Sequence, residues 1–422
     1  MADAIKFIHA ADLHLDQPIS GLSELPTHLR SGLSNAPYVA AQKIFDLAIA
    51  ERVDFVLLCG DLYDSESASA RAFAFLLTQF QRLEEKNIHV YWCGGETDLP
   101  DRWPSSVGLP DNVLTFSSTV VEEIEHRRNG EKLCTIFASG YAPKGRAAAD
   151  LAATNSDTFN IAMSHGEFDG GSFSGKHIAY WALGGRHKST KLEKTGTIAV
   201  YPGTPQGRHV KEPGVHGFKF CRVDGNGKLR VQSIESDYVR FMPQKIAIPE
   251  NVTLVHLKDM LTERALKMIS DCPDDLILTR WFFTTEGQFN PRIRKRQWAA
   301  EVLEWLRDEF GRGDKGLWST EVKVEAPKNL PSEWYEEDTI LGEYMRVVAR
   351  YQSDESLKLD VHQYMPQSFK GDSLATIGQV DRANRDTVLR QSGMVGLQYL
   401  AAHKELAENE ADEFVDHPDQ LT

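Results

Sequence analysis

Short apolar runs recur through the first two hundred residues, and nearly every one ends on a turn carrying aspartate, histidine or glycine. Ile5 to Ala10 leads into Asp12-Leu13-His14, and Phe55 to Leu58 into Gly60-Asp61-Leu62-Tyr63-Asp64. Ile88 to Trp92 leads into Gly95-Glu96-Thr97-Asp98, Phe159 to Met163 into Ser164-His165-Gly166, and Ile178 to Leu183 into Gly184-Gly185-Arg186-His187. Apolar runs of this length, bounded by turn residues, read as buried strands. Between them, Ala40 to Ala50 and Ala70 to Leu83 carry apolar residues at helical spacing. Strand, helix, strand, helix, strand predicts an α/β sheet, and in such sheets ligand groups gather at the carboxyl ends of the strands. The polar motifs are therefore expected to converge on one edge.

A chain of 422 residues exceeds the usual size of a single core, so two or three domains are expected. No run approaches the length of a membrane span, and Met1 to Lys6 lacks the basic and apolar regions of a signal peptide, which predicts a cytoplasmic protein without a membrane partner. The five cysteines are scattered and lack zinc-ribbon spacing, which predicts reduced thiols. The net charge of -14 argues against a polyanion as partner, because affinity for DNA rests on Lys and Arg meeting phosphates. Its distribution softens that objection. Between Glu336 and Asp419 lie 17 acidic and 8 basic residues, which accounts for nine of the fourteen net charges and leaves the motif-bearing half nearly balanced.

From Phe241-Met242-Pro243 the texture changes. Lys245 to Ile248, Leu276 to Phe283 and Leu317 to Val324 read as strands, and Val255 to Met268 and Gln297 to Phe310 as helices. This is a separate α/β module, closing near the Pro327 to Pro331 linker. Beyond it, Thr339 to Tyr351 and Ala383 to His403 read as helices before a frayed acidic end. The division is 1–240, 241–330 and 331–422.

The opening strand, Phe7-Ile8-His9-Ala10-Ala11-Asp12-Leu13-His14-Leu15-Asp16, and the segment Tyr201-Pro202-Gly203-Thr204-Pro205-Gln206-Gly207-Arg208-His209 complete the pattern. With the five motifs in order, the chain resembles the calcineurin-like metallophosphoesterases, and among them the SbcD-like DNA-repair exonuclease subunits, including YhaO-type relatives. The resemblance implies a β-sandwich flanked by helices over 1–240 and a small α/β capping domain over 241–330. It also implies a helical arm over 331–422 that docks the coiled-coil base of an SbcC-like ATPase, and DNA as substrate; a homodimer is a further expectation.

Carboxylate and imidazole donors suit manganese, iron and zinc, and manganese is the metal expected here. A binuclear phosphoesterase site needs a carboxylate bridge with nitrogen and oxygen donors completing each shell. Carried over from the family, Asp12, His14, Asp61 and His187 hold the first metal, with Asp61 as the bridge. The second keeps Asp61 and His165 but loses the rest: Glu96 stands at the family's Asn, Thr97 at its catalytic His, and Gly185 at the first His of Gly-His-x-His. Glu96 is carried as a substitute ligand. Thr97 cannot exchange a proton near neutral pH, and the lost general acid or base help is typically worth about 10²- to 10⁴-fold.

Asp64 reads as the cap of a helix beginning near Ser67. Arg186 alternates away from Gly185 and His187, and His209 and His216 are the spare imidazoles of the following loop. Gly203, Thr204 and Arg208 form the candidate substrate-binding element, with Arg208 able to pair with a phosphate. Arg292 to Trp298 is the densest basic run and a candidate DNA contact.

Three functions follow from this reading. One is a DNA phosphodiesterase weakened by its damaged second site. Another is a non-catalytic relative that binds DNA or docks an ATPase. The third, a small-molecule phosphodiesterase, explains the acidic surface but not the cap and arm.

Overall fold

The structure is a computed structural model describing residues 5–22, 25–67, 69–116, 120–141, 151–154, 158–168, 173, 176–194, 197–249, 252–285, 296–313, 315–324, 333–359, 380 and 382–400. Its first part is built on two six-stranded sheets. One contains β1 (Ile5–Ala10), β2 (Phe55–Cys59), β3 (His89–Cys93) and β4 (Val113–Phe116), all mutually parallel. The other is centred on β6 (Glu131–Tyr141), β7 (Phe159–His165), β8 (Tyr180–Gly184) and β10 (Thr197–Tyr201), also parallel. Its antiparallel edges are β5 (Glu122–Arg128) and β9 (Thr190–Lys194). On the far side of β1, the hairpin β11 (Gly217–Val223) and β12 (Leu229–Glu235) extends the first sheet.

The parallel strands are near-continuous apolar runs because both of their faces are covered. Phe7, Phe55, Leu57 and Tyr91 of the first sheet meet Ile136, Ile161, Met163 and Tyr180 of the second in one core, so the two sheets form a sandwich. The opposite face of the first sheet packs Ile8, Val56, Leu58 and Trp92 against α1 (Thr27–Glu51) and α2 (Ala70–Glu84). The helix-flanked sandwich predicted for this half is thus present. The five cysteines are free and buried. No helix among the described residues is long and apolar enough to cross a membrane.

Helix α1 begins thirteen residues before the predicted start and runs through Pro37. A proline inside a helix costs about 3 kcal/mol. Burial of Leu29, Leu33 and Ala36 against Val239, Phe241, Leu276, Leu278 and Trp318 offsets that cost. At α2 the cap is Ser69, whose side chain accepts from the Arg71 N–H, whereas Asp64 closes a turn on Glu66 N and Ser67 Oγ. The short polar side chain bonds the nearest free amides, and those belong to the turn.

The chain divides into two compact units, Met1–Pro243 with Arg264–Thr279 and Leu306–Thr320, and Gln244–Glu263 with Arg280–Trp305 and Glu321–Thr422. In the first, Val239–Phe241 pairs in parallel with Leu276–Leu278. In the second, Gln244–Ile248 pairs in parallel with Trp281–Thr285. Also in the second, helices Ile340–Ser353 and Arg382–Leu400 are joined by the Tyr344 hydroxyl, 2.8 Å from the Ser392 carbonyl.

Candidate metal centre

Each motif leaves the carboxyl end of a parallel strand, and backbone pairing beyond the strands holds the first two together. Asp12 N donates to Gly60 O, His14 N to Asp61 O and Leu15 N to Leu62 O, each at 2.9 Å. Asp12, His14 and Asp61 all lie at positive φ, 56°, 43° and 55°. That conformation costs about 1–2 kcal/mol per residue and persists only where surroundings over-determine it. Here it turns three donor side chains into one space. Close approach of the second sheet adds His165: a Cβ at Gly184 would collide with the Cys59 carbonyl, and one at Gly60 with His165 Nδ1.

Two donor groups result among the described residues, Asp12 with His14 and His187, and Asp12 with Asp61 and His165, the ligand atoms of each lying within 4.8 Å of one another. Asp12 is common to both. Asp61, expected as the bridge, belongs to the second, and its Oδ2 lies 3.8 Å from His14 Nε2 of the first.

Second partners orient the rings. His187 Nδ1 donates to Glu212 Oε1 at 2.7 Å, which leaves its Nε2 lone pair facing His14 Nε2 at 3.2 Å. His165 Nδ1 donates to the Cys59 carbonyl at 2.8 Å, which turns its Nε2 to Asp61 Oδ2 at 3.4 Å. A carbonyl or carboxylate behind a ligand imidazole is the usual way of fixing its tautomer for a metal. The oxygen and nitrogen donors, their spacing and their tautomers fit a borderline divalent cation.

Burial and close charges shift the proton affinities of these donors in opposite directions. Burial pushes Asp12 up to about 6, with Asp61 adding to the shift and His165 opposing it. Burial pushes His14 down to about 3, helped by the charge of Arg208. Burial also works against charge on His165, but the hydrogen bond and charge of Asp61 outweigh it and carry the imidazole up to about 10. The same burial opposes the Asp61 carboxylate, and its bonds and charges from His165 and His14 hold it well below the usual range.

The altered positions divide. Glu96 is exposed and belongs to neither donor group. Thr97 is bound to the carboxylate it stands beside: its N–H donates to Asp61 Oδ1 at 2.9 Å, and its hydroxyl lies 3.0 Å from the same oxygen and 2.9 Å from Tyr63 O. Gly185 has φ 99° and gives its N–H to both oxygens of Asp12 at 3.1 Å. The Arg186 guanidinium lies over the Tyr201 ring, 4.5 Å from its centroid.

The Gly203 segment also closes on the site. At Gly203 φ is 87°, and a Cβ would lie 2.8 Å from Ser189 N. Thr204 is fully buried, and its hydroxyl lies 2.8 Å from the Asp12 carbonyl, bracing the first motif. Arg208 sits with its Nη2 3.2 Å from His187 Nε2 and its Nη1 on Gln17. His216 places its ring nitrogens 3.3 Å from Thr204 O and 3.0 Å from Glu212 O, and His209 accepts from Lys211 N, so both spare imidazoles serve the loop. Of the basic run, residues 291–295 lie outside the described residues.

Two supporting carboxylates were not singled out from sequence. Glu212 orients His187 and accepts from Arg208 N at 2.8 Å, yet nothing in its loop marks it. Asp98, the last residue of the third motif, accepts from Asp61 N, Gly95 N, Leu62 N and Trp92 Nε1 at 2.6–3.1 Å. Burial carries it up to about 7 against the pull of those amides. Its place directly after the altered pair was the available signal.

Comparison with known proteins agrees with this geometry. A family model described as calcineurin-like phosphoesterase matches residues 5–185. The metallophosphoesterase YhaO of Bacillus subtilis is 32% identical over 284 residues, 64% of this chain and 69% of its own length. A DNA double-strand break repair protein Mre11 of Saccharolobus solfataricus is 24% identical over 282 residues, 62% of this chain and 70% of its own. The Mre11 of Methanococcus maripaludis is 31% identical over 96 residues, 23% of this chain and 24% of its own. With its sandwich, its donor groups at the strand ends and these relatives, the chain belongs to the calcineurin-like metallophosphoesterases, in their SbcD- and Mre11-like group.

Proposed function

We propose that this chain is a cytoplasmic, manganese-dependent phosphodiesterase acting on DNA ends, with a rate far below that of a two-metal enzyme. The observation that carries the reading is the pairing of a well-oriented Asp12–His14–His187 group with an Asp61 whose Oδ1 is occupied by Thr97. A bound divalent cation polarises a phosphoryl oxygen and acidifies attacking water. The chain's own residues do the rest. His187, held by Glu212, keeps its Nε2 toward the cation site. Arg208 supplies a second positive charge for a phosphate oxygen, and Gly203 lets the His187–Ser189 backbone pack close beside it. The leaving oxygen finds no imidazole at Thr97 to protonate it, and this step limits the rate.

A second reading is favoured by the same two residues. Thr97 and Gly185 bond to the donor carboxylates rather than ligating, as in a non-catalytic subunit that keeps the scaffold to bind DNA or dock an ATPase. For the rest of the chain we propose a capping role for 241–330 and partner docking through helices Ile340–Ser353 and Arg382–Leu400.

Manganese content measured beside a nuclease assay tests both readings. Slow cleavage that disappears in Asp61→Ala supports the enzyme. No cleavage, with DNA binding intact, supports the subunit. Fast cleavage would refute the weakened site.

A further inference from the structure

A cavity of about 700 Å³ has His187 and Glu212 in its wall and continues along β11 and β12 to Lys219 and Ser233. Lys219 is buried, and its Nζ donates to Ser189 Oγ at 2.7 Å and to Ser233 Oγ at 2.6 Å. Neither partner carries a charge. Among the described residues no carboxylate lies within ion-pair distance of this ammonium. A buried ammonium without a counter-ion is costly, and burial lowers the affinity of Lys219 for its proton. Its charge also reaches its cross-strand neighbour His9, adding to the burial that keeps that ring neutral.

Two more lysines line the same cavity, Lys188 and Lys211, both exposed. Of the two carboxylates in its wall, Glu235 is paired with Arg240 at 2.9 Å, and Glu212 sets one negative charge against three lysines. The uncompensated charge is therefore positive. The volume is that of a small-molecule site, and hydroxyls flanking an ammonium match the oxygens of a phosphate.

We propose that this cavity is an anion subsite in which Lys219, Ser189 and Ser233 hold a phosphate group of the substrate other than the one attacked. The proposal rests on the phosphodiesterase reading and adds the substrate class, a molecule with a second phosphate beside the scissile one. That phosphate belongs either to a DNA strand or to a small nucleotide diester, for which a mononucleotide is the binding probe, and the two sources are separable.

The test uses the full chain in chelator, so that binding is read without metal. Inorganic phosphate, thymidine 5′-monophosphate and a short 5′-phosphorylated DNA strand are titrated calorimetrically into the wild-type protein and into Lys219→Met. Loss of a charge-assisted bond predicts binding weakened by about tenfold or more. Dependence on Lys219 for the DNA strand alone assigns the subsite to nucleic acid, and dependence for the mononucleotide alone assigns it to small substrates. Equal binding by the two proteins, or no binding of any probe by the wild type, overturns the proposal. If Lys219→Met loses its fold by circular dichroism, the pair Ser189→Ala with Ser233→Ala replaces it. Unchanged affinity in that pair is equally fatal. Manganese-dependent hydrolysis of a chromogenic phosphodiester is followed in parallel. Hydrolysis absent with Lys219-dependent binding intact sinks the catalytic reading alone, and the reverse pattern sinks the subsite alone.

Discussion

The two donor groups share Asp12 but differ in what completes them. In the first, the Nε2 atoms of His14 and His187 face each other at 3.2 Å, and Glu212 stands behind His187. Burial opposes charge on Glu212, yet its bonds from His187 and the Arg208 N–H bring it down to about 2, so it is a dependable anion. In the second, His165 and Asp61 are held just as firmly, by the Cys59 carbonyl and by Thr97. Beside it Glu96 is exposed, and Gly185 contributes only an amide, which it gives to Asp12. Each group keeps three side-chain donors, and the two differ in the residues that stand beside them.

The largest effect should come from the shared carboxylate. Asp12→Ala is expected to abolish manganese binding in equilibrium dialysis, whereas Asp61→Ala keeps one tightly bound ion. Equal losses in the two variants would break the distinction between the groups.

Restoring the proton donor comes next. If Thr97 is what limits the rate, Thr97→His should raise manganese-dependent phosphodiester cleavage by about 10²-fold or more, since acid–base help spans about 10²- to 10⁴-fold. A rate that stays at the wild-type level would mean that something other than the acid sets the limit.

Removing the brace of the first group should weaken it without touching the second. Glu212→Gln is expected to lower manganese affinity by about 10- to 100-fold by calorimetry, the usual effect of losing an outer carboxylate. An unchanged affinity would mean that the His187 tautomer is fixed by something else.

Gly185 offers a smaller effect of opposite sense to repair. With φ at 99°, and a Cβ there 3.1 Å from His165 Nε2, Gly185→His should destabilise the chain by about 1–2 kcal/mol in urea unfolding. A stable variant that binds a second manganese ion would show that the backbone can relax and that the second group is repairable.

The smallest is a control at the opposite ends of the strands. Burial brings His126 down to about 4, with His89 and Arg128 adding to the shift. Its pKa in the unfolded chain is about 6.5, so unfolding takes up a proton as pH falls below that value. The stability it supports is present above pH 6.5 and is lost as pH drops toward 4, by about 1 kcal/mol per pH unit at most. His126→Gln should flatten that slope equally with and without manganese, and a metal-dependent slope would tie this end of the sandwich to the site.

Periodicity and turn chemistry act over a few residues, so the parallel strands β1, β2, β3, β7, β8 and β10, their order of motifs and the candidate donors Asp12, His14, Asp61, His165 and His187 were legible in the chain itself, whereas β4 and β6 were not. The first half of α1 was not, because Pro37 argues against a helix locally and only packing on Val239, Leu276 and Trp318 overrides it. Strand β5, Glu-Glu-Ile-Glu-His-Arg-Arg, was hidden by charges that suit an edge. The roles of Glu212 and Asp98, the exposure of Glu96 and the meeting of Lys219 with Ser189 and Ser233 depend on partners brought close only by folding. Sequence by itself determined which candidate ligands this protein possesses, because strand ends and turns encode them locally. Tertiary structure decided which of them have a brace, a lone pair and a neighbour, because those come from side chains separated by tens to nearly two hundred residues.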